Sequence, residues 1–260
     1  VKKRENKALL RTVGLTRQFG GVQAVRSVDL QITQGTVQGL IGPNGAGKTT
    51  LFNLISGMVK PTAGRVYFNG REITRLKPHQ IAGLGLVRSF QANVLFKDYS
   101  VFDNILVGSH LQSGFGLFQD LVNSLSTRRK RGRLLQKAEE IMGFVGLSPL
   151  RNELAKNLAH GHQRALGIGV ALAAAPKLLM LDEPVTGMNV EEKESMMRLI
   201  SRIRENGTTL LIVEHDMKTL MGLCDRVVVL NFGTLIAEGP PSEIQKDPTV
   251  IEAYLGVDDA

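Results

Sequence analysis

Short, mostly apolar runs recur along the chain, and each one ends in something polar. Val37–Ile41 leads into Gly42-Pro43-Asn44-Gly45, and residues 86–90, broken by Arg88 and Ser89, lead into Gln91. Residues 178–181 lead into Asp182-Glu183, 210–213 into Glu214-His215, and 227–230 into Asn231. Brief apolar runs without polar alternation predict strands buried on both faces. Between them the spacing changes to the 3.6-residue period of a helix. Leu51, Leu54, Ile55 and Met58 form one such stripe after Lys48, with Gly57 near its end. Asn189 is placed to cap a helix of about four turns. Glu191 and Glu192 fall in its first turn, where the helix dipole favours negative charge, and Met196, Met197, Ile200 and Ile203 fall on its apolar face.

Strands alternating with helices predict an α/β fold with a mostly parallel sheet and helices on its faces. Ligands of such sheets sit beyond the C-terminal ends of the strands. That rule gathers residues 42–50, Gln91, Asp182, Glu183 and His215 along one edge. The stretch from about 92 to 158 reads differently. It has no buried-strand pattern, helical spacing over 101–107 and 134–145, and a loop at Gly114-Phe115-Gly116. The expectation is one domain over 1–260, with a core of about 1–91 and 159–260 and an inserted helical subdomain of about 92–158.

Apolar residues are 43% of the 260, enough for a core. The longest apolar stretch, 165–176, is well short of the roughly 18 residues of a membrane span. The basic start, Val1 to Lys7, is not followed by a signal-peptide apolar core. The single cysteine, Cys224, excludes an internal disulfide framework and a cysteine-cluster zinc site, and suggests a reducing, cytoplasmic setting. A formal charge of +8 suits phosphates, nucleic acid or an anionic membrane surface without choosing among them. Aromatics at 5%, with no Trp, lean away from base-stacking on single strands.

Chemistry concentrates at the strand ends. Gly42-Pro43-Asn44-Gly45-Ala46-Gly47-Lys48-Thr49, followed by Thr50, fits the phosphate loop G-x-x-x-x-G-K-[ST]. Its glycines turn backbone N–H groups onto phosphate oxygens, Lys48 brings a point charge to the β- and γ-phosphates, and Thr49 can ligate Mg²⁺. An ordinary glycine turn would not sit between an apolar strand and an amphipathic helix. At the end of its own strand, Asp182 suits Mg²⁺ and Glu183 suits a general base or water-orienting role. The guanine-reading Asn-Lys-x-Asp and the switch Asp-x-x-Gly of GTPases are absent.

With these motifs in this order, the chain resembles the ATP-binding-cassette (ABC) ATPases over nearly its whole length. The resemblance implies a phosphate-loop NTPase fold with an N-terminal antiparallel β region beside the parallel core. It implies ATP and Mg²⁺ as ligands and further roles by position. Phe19 would stack on adenine. Gln91 would sense Mg²⁺, the attacking water and a membrane subunit. Leu158-Ala159-His160-Gly161-His162-Gln163 stands at the signature, 21 residues before Asp182 counted from Gly161. Thr186-Gly187-Met188-Asn189 matches the loop at the dimer interface, and His215 the switch histidine on the γ-phosphate. Taken singly, Phe19 reads as core packing, Gln91 as a solvated loop residue and His215 as a hydrogen-bonded histidine; their joint order reverses that.

In the family two ATPase chains clamp nucleotide between the phosphate loop of one and the signature of the other. The signature is a helix N-terminus aimed across the interface. Its usual serine is Ala159 here, which removes one hydroxyl donor. His160 and His162 could bind a metal, but surface signature residues are the preferred reading. Five basic residues between Arg128 and Arg133 read as a solvated helix face, with anionic lipid as the lesser alternative.

Gly20-Gly21 after Phe19, Val87-Arg88-Ser89-Phe90-Gln91, Leu95-Phe96, Glu214-His215-Asp216-Met217 and Ala253-Tyr254-Leu255-Gly256 narrow the resemblance. They look like the ATPases of branched-chain amino-acid importers, a group that also serves urea, amides and other amino acids. Such ATPases act as pairs, homo- or heterodimeric, peripheral on the cytoplasmic face of the bacterial inner membrane. They drive transmembrane permease subunits fed by a secreted substrate-binding protein; nucleic acid is not an expected partner. A soluble ABC ATPase of DNA repair or translation would show coiled-coil insertions or two cassettes. A phosphate-loop kinase outside the family would lack the signature and switch histidine in this order.

Restoring the missing hydroxyl with Ala159→Ser should raise ATP turnover in a reconstituted complex by about tenfold, the worth of one charge-assisted hydrogen bond in the transition state. Steady-state turnover that stays level or falls shows that the signature is adapted to alanine.

Overall fold

The computed structural model describes residues 8–89, 95–113, 125–214 and 217–255. The chain opens with a long strand, β1 (Ala8–Phe19), that turns into β2 (Val22–Val28), followed by a short β3 (Gln31–Thr33). Next come β4 (Val37–Ile41), α1 (Lys48–Ile55), β5 (Ala63–Phe68), β6 (Arg71–Glu72), α2 (Pro78–Gly83) and β7 (Leu86–Arg88). Three helices follow: α3 (Val101–Ser113), α4 (Leu125–Phe144) and α5 (His160–Ala173). The last third holds β8 (Leu178–Asp182), α6 (Val190–Glu205), β9 (Thr209–Val213), α7 (Met217–Leu223), β10 (Arg226–Asn231), β11 (Thr234–Gly239), α8 (Pro241–Ile244) and α9 (Pro248–Leu255).

Two sheets result. The larger has strand order β11-β10-β4-β9-β8-β7, parallel throughout except for the antiparallel edge strand β11. The smaller is antiparallel, ordered β2-β1-β5-β6, with β3 also paired to β1. The expected mostly parallel core and N-terminal antiparallel region are both present. Five strands match the apolar runs of the sequence, with β7 ending at Arg88, inside its run of 86–90.

The parallel strands are apolar on both faces because each face has its own core. Ile41, Leu179, Leu181, Leu210, Ile212, Val227 and Val229 point to one side, against α3 to α7. Leu40, Leu178, Met180, Leu211, Val213, Val228 and Leu230 point to the other, against Phe52 and Ile55 of α1 and the antiparallel sheet. Residues thus alternate between two hydrophobic layers rather than between oil and water, which is why the sequence shows no period-two signal.

Helix boundaries differ from the sequence reading in two places. α1 ends at Ile55, and the chain leaves it through Gly57 at φ +74°. Met58 therefore falls off the stripe and is 54% exposed. α4 begins at Leu125, nine residues before the apolar spacing starts at Leu134, and so takes in the basic run; Arg129, Arg131 and Arg133 are exposed on it. Good helix formers extend this helix beyond the part that enters the core through its own Ala138 and Met142. The loop expected at 114–116 lies outside the described residues. No helix among the described residues is long and apolar enough to cross a membrane.

Cys224 packs under β4, so that a Cβ at Gly39 would come within 3.0 Å of its sulfur. Burial, with the Asp225 carboxylate adding to it, pushes its thiol pKa up to about 12. Only thiolate reacts, so alkylation at pH 8 should run at least about a hundredfold slower in the native chain than in denaturant. Equal rates in a thiol-labelling time course would place Cys224 outside the core.

Candidate functional site

The strand register lines up the chemistry. Leu40 pairs with Val213 and Val213 with Asp182, so β4, β9 and β8 run out at one level. One step further on, the three strands release Gly42, Glu214 and Glu183 on the same edge of the sheet. The Glu183 carboxylate is close enough to act electrostatically on the Lys48 ammonium. Burial lowers the Lys48 pKa, and Glu183 opposes that shift. Residues 135 apart in sequence thus share one pocket edge, as the α/β rule requires.

The phosphate loop is wedged against other backbone. A Cβ on Gly42 would lie 2.0 Å from the Leu230 carbonyl oxygen, and one on Gly47 2.3 Å from that of Ala24. Both glycines also have φ in the left-handed range, +151° and +100°. No side chain caps the start of α1, and its first turn holds no acid, so its leading N–H groups remain for an anion. Lys48 Nζ donates to the Gly42 and Pro43 carbonyls, at 2.6 and 2.9 Å, which folds its charge back over the loop. Asn44, Gly45 and Thr49 are exposed, Thr50 is half-buried, and Ala46 is buried, with its carbonyl accepting from Gly233 N.

Asp182 is held from the side. Arg88, on neighbouring strand β7, donates through Nη2 to Asp182 Oδ2 at 2.6 Å and through Nη1 to Asn53 Oδ1 at 2.6 Å. The same guanidinium lies over the Phe52 ring, 5.1 Å from its centre. Asp182 Oδ1 carries no hydrogen bond among the described residues. One carboxylate oxygen fixed and the other available at a strand end is a fitting arrangement for Mg²⁺.

Phe19 ends β1 on the hairpin whose Ala24 carbonyl crowds Gly47. It is 45% exposed, so core packing does not account for it, and Arg17 lies over its ring at 4.4 Å. Gln91 and His215 lie outside the described residues.

The signature lies at the start of α5, with Ala159 exposed and Gly161 and Gln163 half-buried. Ala159 is the residue before α5; its carbonyl accepts from Gln163 N, and Gln163 Nε2 donates to the Leu158 carbonyl. His160 and His162 are exposed beside it. No hydrogen bond or ion pair among the described residues joins Ala159, Gly161 or Gln163 to the phosphate loop. Asn189 caps α6 as expected. Its side chain accepts from Glu192 N at 2.9 Å, while Glu192 Oε2 accepts from Asn189 N at 3.1 Å. Glu192 also lies over Gly161, where a Cβ would meet its Oε1 at 2.8 Å. A side chain at Gly161 would require that carboxylate to shift.

Sequence patterning missed Arg88, Arg164, Glu192 and Glu214. Arg88 left a trace as the cation interrupting an apolar run, and Arg164 as the last charge before the apolar stretch of α5. Glu214 is a buried acid whose Oε1 accepts from Val185 N at 3.0 Å, which only the three-dimensional structure reveals.

The family profile described as "ABC transporter" matches residues 25–186. The chain belongs to the ABC transporter family. A second profile, described as a branched-chain amino acid ATP-binding cassette transporter, matches residues 234–260. The high-affinity branched-chain amino acid transport ATP-binding protein LivG of Escherichia coli is 43% identical over 249 residues, covering 95% of this chain and 98% of LivG. Its counterpart BraF of Pseudomonas aeruginosa is 40% identical over 252 residues, covering 96% and 99%. A crystal structure of the ADP conformation of an ATP-binding cassette of an ABC transporter superposes with TM-score 0.83 at 31% identity, covering 96% of this chain and 99% of that one. The phosphate loop described above is therefore that of an ABC ATPase, a nucleotide-binding component of a transporter.

Arg88→Met removes the partner of a carboxylate that is only 10% exposed. It should cost about 3 kcal/mol of stability in nucleotide-free urea unfolding, and Arg88→Met with Asp182→Asn should recover part of it. A loss below about 0.5 kcal/mol would class the pair with ordinary surface ion pairs.

Proposed function

We propose that this ABC ATPase powers import of branched-chain or chemically similar amino acids. In this reading it sits on the cytoplasmic face of the bacterial inner membrane, paired with a second cassette, which is either a copy of itself or a relative. The pair drives permease subunits supplied by a secreted binding protein. The similarity to LivG and BraF over nearly the full length of each supports the cargo class. The observation that carries the chemistry is Glu183 lying within electrostatic reach of Lys48 on the edge where the parallel strands β4, β9 and β8 end.

Each residue then has a job. The amides of residues 42–50 and the start of α1 hold the phosphates, and Phe19 offers a ring to the adenine. Lys48 leaves the Gly42 and Pro43 carbonyls for the β- and γ-phosphate oxygens, whose charge favours the ammonium form that burial disfavours. Thr49, Asp182 and Gln91 would hold Mg²⁺, which when bound offsets charge on the leaving phosphate oxygens. Glu183 takes the proton of the attacking water, or orients that water, and His215 contacts the γ-phosphate. The signature residues Ala159, Gly161 and Gln163 reach the nucleotide of the other chain, with the loop to Asn189 beside them. Closure of the pair over ATP moves the permeases, and hydrolysis lets it reopen. The helical stretch of about 92–158 forms, with the Gln91 loop, the groove for a permease helix.

Glu183→Gln should keep ATP affinity within about twofold and lower steady-state turnover by at least about a hundredfold. Both are read on the assembled complex, by nucleotide binding and by phosphate release. Turnover at the wild-type rate would remove Glu183 from the reaction.

A further inference from the structure

Glu183 sits in a backbone conformation that its side chain does not favour. Its φ is +46°, in the left-handed region, and it is neither glycine nor asparagine. Such a residue persists only where its surroundings over-determine it. Three ties do so here. Glu183 N donates to the Val213 carbonyl at 2.9 Å. Two residues on, Val185 N donates to Glu214 Oε1. Between them, the Glu183 carbonyl accepts from Arg164 Nη1 at 2.5 Å, and Arg164 Nη2 reaches the Thr186 carbonyl at 3.4 Å.

The first two ties come from the strand end beside the loop. The third comes from outside the sheet. Arg164 stands in the second turn of α5, three residues beyond Gly161, on the helix whose exposed start is the signature. Its acceptors are both backbone carbonyls, so it grips the path of the loop rather than any one side chain. Its remaining donor, Nε, is buried with no hydrogen-bond partner among the described residues. The guanidinium is thus spent on the loop at the expense of its own full pairing.

We propose that Arg164 is a positioning residue for the reaction, holding the Glu183 peptide in register with the signature helix. Any displacement of α5 moves the guanidinium, and the guanidinium carries the Glu183 and Thr186 carbonyls with it. The signature end of α5 faces the nucleotide of the other chain, while Glu183 serves the nucleotide of its own. Arg164 therefore links closure at one nucleotide to placement of the base at the other, through two charge-assisted bonds. This rests on the reading of Glu183 and of the signature given under Proposed function.

The test compares Arg164→Met, which keeps the stem and removes the donors, with Arg164→Lys, which keeps one cation able to reach one carbonyl. In the assembled complex, Arg164→Met should lower kcat by about ten- to a hundredfold, as a displaced catalytic group does, with KM for ATP within about twofold of wild type. Arg164→Lys should fall between. In the full chain, amide hydrogen exchange should quicken in the peptide covering 184–189 and stay level in the peptide covering 42–51. Wild-type kcat in Arg164→Met overturns the proposal. So does a KM rise with kcat retained, or exchange that quickens evenly along the chain, since either describes a binding or a merely structural arginine. If Arg164→Met does not fold, wild-type kcat and wild-type local exchange in Arg164→Lys overturn it. Glu183→Gln is run in parallel. Surviving turnover there defeats the reading of the base, whereas lost turnover there beside wild-type kcat in Arg164→Met defeats the proposal alone.

Discussion

The tightest constraint in the molecule is the contact of the phosphate loop with two other backbones. The carbonyls of Leu230 and Ala24 stand where side chains at Gly42 and Gly47 would have to go. Leu230 belongs to β10, beside β4 in the parallel sheet, and Ala24 to the hairpin of the antiparallel sheet. Both sheets must therefore dock on the loop before it can take its shape. A loop compressed between fixed carbonyls is also rigid, so its amides need little ordering when an anion arrives. The central place of β4 follows from the same demand, because only an interior strand delivers its exit loop between neighbours on both sides.

A second consequence concerns charge. Lys48, buried enough for its pKa to fall, rests on the Gly42 and Pro43 carbonyls, and Asp182 rests on Arg88. Both charged groups are thus held by partners from the chain itself. Those pairs differ in kind. The lysine holds carbonyl dipoles, which are easily exchanged for phosphate oxygens. The arginine holds a full charge and is further tied to Asn53 and the Phe52 ring. The cation is lightly held, and the acid is firmly held.

Much of this was legible in the sequence, for identifiable reasons. The core strands announced themselves because burial on both faces leaves them almost wholly apolar, with Gln38 and Thr209 as buried polar exceptions. The phosphate loop was legible because its glycines answer to local geometry. Asn189 was legible as a cap because a cap needs only residues within one turn. What stayed hidden depends on contacts between segments distant in sequence. The first turns of α4 carry no apolar stripe for a spacing rule to find. Arg88 and Arg164 act on partners 94 and 19 residues away, and Arg164 on backbone atoms that every residue possesses. No spacing rule can mark such a donor.

The two hidden arginines also hold the acidic pair at the end of β8 in different ways. Asp182 is gripped by its side chain, through Arg88, from the neighbouring strand β7. Glu183 is gripped by its backbone, through Arg164, while its carboxylate acts electrostatically on Lys48. Two adjacent acids that a sequence motif reads as alike are thus distinguished by where their arginines attach, one at a carboxylate oxygen and the other at a peptide carbonyl. The distinction lies in contacts with other segments, so the motif Asp182-Glu183 cannot carry it alone.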